Sequence, residues 1–261
     1  MDFNEAVAYL KKYLLDEMPE YKEYSLKFSK DLRGQISLIR SLMNLRKPKT
    51  VTNDFKEAEK IYLQFLLRNM GLIDCFSLPL TDYEKIALWR GDIVRLNADA
   101  IVNAGNADML GCFVPHHNCL DNCIHSFAGV ELRYACYLEM AKRGFKIGLG
   151  DVFYTNGYNL PSKYVFHVLG PSTRGRITFS DQNVLKNCYS HCLELARKLH
   201  LRTLAFPCIS TGEQGFPKNV GAQIATETVK EYLLEHSDAP AVIFDVFTDI
   251  DEKLYSGLLF E

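Results

Sequence analysis

Residues 103–129 read NAGNADMLGCFVPHHNCLDNCIHSFAG, and the rest of the chain is arranged around them. Two asparagines, Asn103 and Asn106, open the stretch. Side chains able to hold a metal follow: Cys112, His116, His117, Cys119, Cys123 and His125, with Asp121 among them. Upstream, residues 86–90 and 100–103 are short apolar runs of strand character, and Ile124, Ala128, Leu132 and Ala135 downstream recur at helical spacing. The chemistry therefore falls in a loop between the end of a strand and the start of a helix. In open α/β sheets, ligands bind there, outside the carboxyl ends of the strands.

Outward from this stretch the chain alternates. Strands are expected at 86–90, 100–103, 152–155, 164–168, 203–207 and 241–246, and helices at 119–143, 181–200, 220–235 and 251–259. The strands are rich in β-branched and aromatic residues and poor in charge, which suits burial on both faces. This alternation implies crossover units and a mostly parallel, mixed central sheet between helical layers, an α/β fold. Residues 1–80 differ and read as an all-helical extension preceding a domain over 81–261. Phe3, Ala6, Val7, Leu10 and Leu14 share one helical face, with Asp2 and Glu5 as a capping start. A second helix fits 32–45, stopped by Pro48, and a third fits 54–70, with Asn53 as its cap and Gly71 as its stop. Between them RKPKTVTN (46–53) reads as a solvated linker, with an anion site as the other reading.

Thirty basic against thirty-two acidic residues leave a net charge of -2, which argues against nucleic acid held by bulk electrostatics. No apolar run approaches the roughly 18 residues of a membrane span. The N-terminus lacks a secretory plan, so the eight cysteines are expected to be reduced thiols, some serving a metal, in a cytoplasmic protein.

Four clusters carry chemistry. Gly91-Asp92-Ile93 follows the first strand, where a carboxylate can accept from an exocyclic amine such as that of adenine or simply make a turn. Asn103 and Asn106 can bind sugar hydroxyls or cap a turn. Residues 208–217, CISTGEQGFP, place two glycines and hydroxyls before a helix, as a phosphate cradle or a plain turn would, and no Gly-Lys-Ser/Thr makes them a Walker loop. Cys112, His117 and Cys119 suit zinc at roughly 2.0–2.3 Å, and the helix start at Cys119 favours its thiolate. Three protein ligands leave an open, catalytic position, whereas Cys123 or His116 as a fourth makes the site structural. His125 reads as a packed core histidine.

Together these clusters resemble a macrodomain, the ADP-ribose-binding three-layer α/β/α fold, over about residues 88–259. The resemblance lies in WRGDIVRLNADAIVNAGN (89–106), LDNCIHSFAG (120–129), IGLGDVFYTNGYNLPSKYVFHVLGP (147–171) and PCISTGEQGFP (207–217), in family order. The usual glycine-rich loop beside the distal ribose is absent. In its place GCFVPHHNC (111–119) is similar to the zinc-containing branch of bacterial macrodomains, which also carries a helical N-terminal extension.

The resemblance implies zinc on Cys112, His117 and Cys119, with His117 rather than His116 as the imidazole. It implies adenine held by Asp92 and the Ile93 amide, with Phe247 stacked on it. The diphosphate would lie against the backbone of Ser210, Thr211, Gly212, Glu213, Gln214, Gly215 and Phe216. Asn106 would touch the distal ribose with Asp121 beside it, the two forming the catalytic pair. The implied activity is zinc-dependent removal of ADP-ribose from mono-ADP-ribosylated side chains, acidic ones being the expected class. The implied partner is a lipoyl-carrier protein modified by a sirtuin-like ADP-ribosyltransferase. The alternatives are a reader of ADP-ribose with structural zinc, or a deacetylase of O-acetyl-ADP-ribose. Residues 1–80 are read as packing onto the domain rather than as a separate docking module.

Overall fold

The computed structural model describes residues 1–173 and 176–260. The N-terminal helices are α1 (Phe3–Glu17), a single turn α2 (Lys22–Ser25), α3 (Leu32–Leu45) and α4 (Asn53–Met70). They bury Ala6, Leu10, Leu14, Ile39, Leu42, Phe55, Tyr62 and Leu63 in a core of their own. Asp2 and Glu5 form the expected reciprocal cap. The cap of α4 is Thr52 rather than Asn53: its hydroxyl accepts from the Phe55 amide at 3.2 Å, and Asn53 already lies inside the first turn. The 46–53 segment is not wholly solvated either. Arg46 is buried and clamps Glu17 at 2.6 and 3.0 Å while donating to the carbonyls of Lys49 and Thr50.

The sheet contains β1 (Ile86–Arg90), β2 (Ala100–Ala104), β3 (Val152–Asn156), β4 (Tyr164–Val168), β5 (Thr203–Phe206) and β6 (Ala241–Val246). Their order is β1-β6-β5-β2-β4-β3, parallel throughout except that β3 runs antiparallel to β4 at one edge. Helices α7 (Phe179–Lys198), α8 (Lys218–Glu235) and α9 (Asp249–Leu259) cover one face, burying Phe166, Leu185, Tyr189, Phe206 and Phe244. On the other face α5 (Leu120–Ala128) and α6 (Val130–Lys142) bury Ile101, Ile124, Leu132, Val165 and Ile243. The three-layer sandwich is therefore present, with strand bounds within one residue of the sequence reading.

Helix 119–143, read as one, is two. Gly129 stands at φ +96, a conformation that ends α5, and the Glu59 carboxylate of α4 accepts from the first amide of α6, Val130, at 2.9 Å. A Cβ at Gly129 would lie 2.4 Å from that carboxylate. The break thus depends on a contact from the N-terminal helices, which no local pattern reveals.

Those helices also grip the loop after β2. Arg133 on α6 is buried and donates to the carbonyls of Met43, Asn44 and Arg46 on one side and of Leu110 and Cys112 on the other. Asn44 bonds Ser126 at 2.9 Å and accepts from the His116 amide at 3.2 Å. Among the described residues no helix is long and apolar enough to cross a membrane.

Candidate active site

Because β1, β2, β4, β5 and β6 are parallel, the loops that follow them gather along one edge of the sheet, and those after β1, β2, β5 and β6 line a single cleft. One end is an open hollow lined by Asp92, Ile93, Cys123, Asp245 and Phe247. The other is lined by Asn106, Cys112, His117, Cys119, Asp121, Ser210 and residues 212–214. The two share Asn118, Cys119, Leu120, Cys208 and Gly212, so the cleft is continuous.

At the first end Asp92 caps a turn through the Val94 amide (3.3 Å) and accepts the Cys123 thiol at 3.3 Å. Burial and the charge of Asp92 hold that thiol protonated, its pKa raised well above the ordinary range. Cys123 is thereby withdrawn from any metal site. Phe247 is largely exposed at the rim.

Over the middle of the cleft lies the 208–217 loop. Its internal bonds already use the amides of Thr211 (to Cys208 O), Gly215 (to Gly212 O) and Phe216 (to Ser210 O). Among the described residues the amides of Ser210, Gly212, Glu213 and Gln214 donate to nothing, which leaves them for an anion. The sequence reading of the whole 210–216 backbone as a cradle is therefore narrowed. Phe216 is a buried anchor, and Gly215, at φ +73, and Thr211 shape the turn. A segment that the sequence reading passed over, near Thr173, backs this loop by bonding the carbonyls of Gln214 and Gly215.

At the far end the metal-type side chains separate into groups. The ligand atoms of Cys112, His117 and Cys119 lie within 4.8 Å of one another. Cys112 Sγ stands 3.5 Å from His117 Nδ1, and His117 Nε2 meets Glu213 at 2.9 Å. His116 turns away, its Nε2 on the Ser37 carbonyl at 2.9 Å. Neither of the fourth ligands considered from sequence joins the trio.

Cys119 caps α5, its sulfur accepting from the Asn122 amide at 3.4 Å. The helix N-terminus does not dominate its acidity: burial first, and the neighbouring Cys112 sulfur, push its thiol pKa up. Two close thiolates repel one another unless a cation neutralises them, and together with the imidazole they form a donor set that fits zinc.

Asn103 is buried beneath the cleft and is not among its lining residues. Its amide donates to Asp121 at 2.8 Å and faces His167 Nδ1 at 3.3 Å, while His167 Nε2 meets Thr155 at 3.0 Å. Burial raises the Asp121 pKa to about 6, against the lowering effects of Asn103 and Arg133. His125, the expected core histidine, is buried 3.5 Å from Asp121 and is kept neutral by burial. Asn106 remains on the cleft wall, its side-chain carbonyl accepting from the amides of Asp108 and Met109 and its side-chain amide NH2 left for the cleft. Arg133, Glu59 and Asp245 were not legible as site residues. Their only trace in sequence is a charge set within an apolar helix face or strand.

The family description Macro domain matches residues 102–225. The chain is 40% identical over 262 aligned residues to a protein-ADP-ribose hydrolase of Treponema medium, covering 99% of this chain and 100% of that one. A solved Oceanobacillus iheyensis macrodomain with ADP aligns over 66% of this chain and 88% of its own, at 33% identity and a TM-score of 0.61. A Trypanosoma brucei macrodomain in complex with ADP aligns over 85% and 95%, at 28% identity and a TM-score of 0.64.

Proposed function

Since the chain belongs to the macrodomain family, we propose that it is a hydrolase releasing ADP-ribose from mono-ADP-ribosylated protein side chains, with zinc at the distal ribose. The observation that carries this reading is the placement of Asp121, Asn106 and the Cys112–His117–Cys119 trio at one end of a continuous cleft whose other end holds Asp92 and Phe247. Between them lie four unengaged loop amides.

The adenine end, read as Asp92, Ile93 and Phe247, and the amides of Ser210, Gly212, Glu213 and Gln214 would bind the ADP portion. That remote binding positions C1″ of the distal ribose at the other end of the cleft. Asn106 presents its side-chain amide NH2 to the ribose hydroxyls. Asp121 takes the proton of a water whose oxygen attacks C1″. The bond from C1″ to the modified side chain breaks, and an acidic side chain leaves as a carboxylate carrying the electron pair. Asn103 and the neutral His167 behind it hold the Asp121 carboxyl in one orientation. Zinc on Cys112, His117 and Cys119 would supply Lewis acidity toward the ribose oxygens or a bound water. The modified protein is read as a lipoyl-carrier protein bearing the product of a sirtuin-like ADP-ribosyltransferase.

The test joins metal content to activity on one preparation. The protein is purified without added metal, zinc is quantified, and release of ADP-ribose from a mono-ADP-ribosylated protein is followed before and after chelation. The expected result is about one zinc per chain and loss of release on chelation with the fold retained. ADP-ribose binding without release would leave a reader with a structural metal, and full activity in Cys112→Ala would remove zinc from the mechanism.

A further inference from the structure

Residues 110–118, which carry Cys112 and His117, do little to hold themselves. Among the described residues their one hydrogen bond between main-chain groups runs from the His117 amide to the Val114 carbonyl at 3.2 Å. What fixes them comes from distant parts of the chain. Arg133 on α6 is 4% exposed, and its guanidinium donates to the carbonyls of Leu110 at 2.7 Å and Cys112 at 3.1 Å. The same guanidinium reaches the carbonyls of Asn44 at 2.8 Å and Arg46 at 2.6 Å, at the end of α3. Its Cζ also lies over the Phe113 ring, 4.2 Å from the centroid. A second tether holds the other side of the loop. His116 stands at φ +55, a conformation that a residue other than glycine keeps only when its surroundings impose it. Those surroundings are α3: the Asn44 side chain accepts from the His116 amide at 3.2 Å, and the Ser37 carbonyl accepts from its imidazole at 2.9 Å. Asn44 is itself buried and anchored on Ser126 at 2.9 Å.

We propose that the end of α3 is part of the metal site: through Arg133 and Asn44 it positions the 110–117 loop so that Cys112 and His117 already face Cys119 when zinc binds. This rests on the reading that the trio holds zinc. Cys119 needs no such help, because it is fixed as the cap of α5. The two tethers flank the two remaining ligands, one at Leu110 and Cys112, the other at His116 beside His117. Without them zinc would have to order the loop as it binds, and that ordering lowers affinity. The N-terminal helices thereby acquire a role in the chemistry although they place no residue in the cleft. Arg133 and Asn44 are positioning residues.

The experiment uses the full chain and compares native protein with Asn44→Ala, Arg133→Lys and His116→Asn. Zinc affinity is read by competition with a chelator, and affinity for ADP by calorimetry. ADP has no distal ribose, so its binding reports on the fold of the cleft rather than on the metal loop. Arg133→Lys keeps the charge but loses the fork that reaches both sets of carbonyls. It and Asn44→Ala should each lose about tenfold or more in zinc affinity while ADP affinity stays within about threefold of native. His116→Asn tolerates the positive φ, sits at the exposed end of the tether and should lose about threefold for zinc alone. It decides by itself if the two buried variants do not fold. Unchanged zinc affinity in the variants that fold, or matching losses for zinc and ADP, would overturn the proposal and leave the functional reading standing. A native chain that binds ADP but no zinc would overturn the proposal together with the zinc part of that reading.

Discussion

Asp121 is worth isolating because two opposed influences meet on it. Burial raises its pKa to about 6, and the Asn103 amide at 2.8 Å prevents a larger rise. If it accepts the proton of the attacking water, Asp121→Asn should lower the hydrolysis rate by about 10²–10⁴-fold while ADP-ribose affinity changes little. Parallel measurement of rate and binding decides; equal losses in both would make Asp121 a binding group. Glu213 makes a second case. Its carboxylate engages His117 Nε2 at 2.9 Å, the outer partner a metal-ligating histidine requires to fix its ring. Glu213→Gln should weaken zinc affinity by about tenfold or more, read by competition with a chelator.

At the scale of elements, the junction of α5 and α6 shows where local reading stops. The apolar spacing of Ile124, Ala128 and Leu132 is helical on both sides of Gly129, so 119–143 reads as one helix. The break exists because Gly129 adopts φ +96 and Glu59, about 70 residues earlier, fills the space and caps the amide of Val130. Gly129→Ala should therefore cost about 3 kcal/mol, strain and clash together, measured by urea unfolding. A loss under about 0.5 kcal/mol would mean that the junction relaxes freely. The 208–217 loop teaches the same point. Its glycines and hydroxyls are visible in sequence, but which amides stay unengaged is settled only when Ser210, Gly212 and Cys208 accept the others.

Across the whole molecule, the N-terminal helices and the α/β domain share buried charge. Glu59 is fully buried and its pKa is raised to about 8, chiefly by burial. Unfolded, it titrates near 4.3, so the folded state holds its proton more tightly. Its contribution to stability is complete below about pH 4 and is lost as the pH rises through 8, at up to about 1.4 kcal/mol per pH unit. In Glu59→Gln, which keeps an acceptor for Val130, that share of the slope should vanish, and the variant should be the more stable at pH 9. Unfolding curves of both proteins from pH 5 to 9 test this, and parallel pH profiles would refute it.

The sequence alone determined the class of the fold, the bounds of the strands and the clustering of Asp92, Asn106, Cys112, His117, Cys119, Asp121 and the 208–217 loop. Alternation of apolar runs and the chemistry of loop residues are local, and a parallel sheet must bring its carboxyl-end loops together. Only the tertiary structure decided which neighbours each group keeps. It sent Asn103 below the floor to hold Asp121, drew Cys123 to Asp92 and His116 to Ser37, and left Cys112, His117 and Cys119 together. It also made Glu59 and Arg133 matter, because the energy of a buried charge is set by partners distant in the chain, which periodicity and motif spacing do not encode.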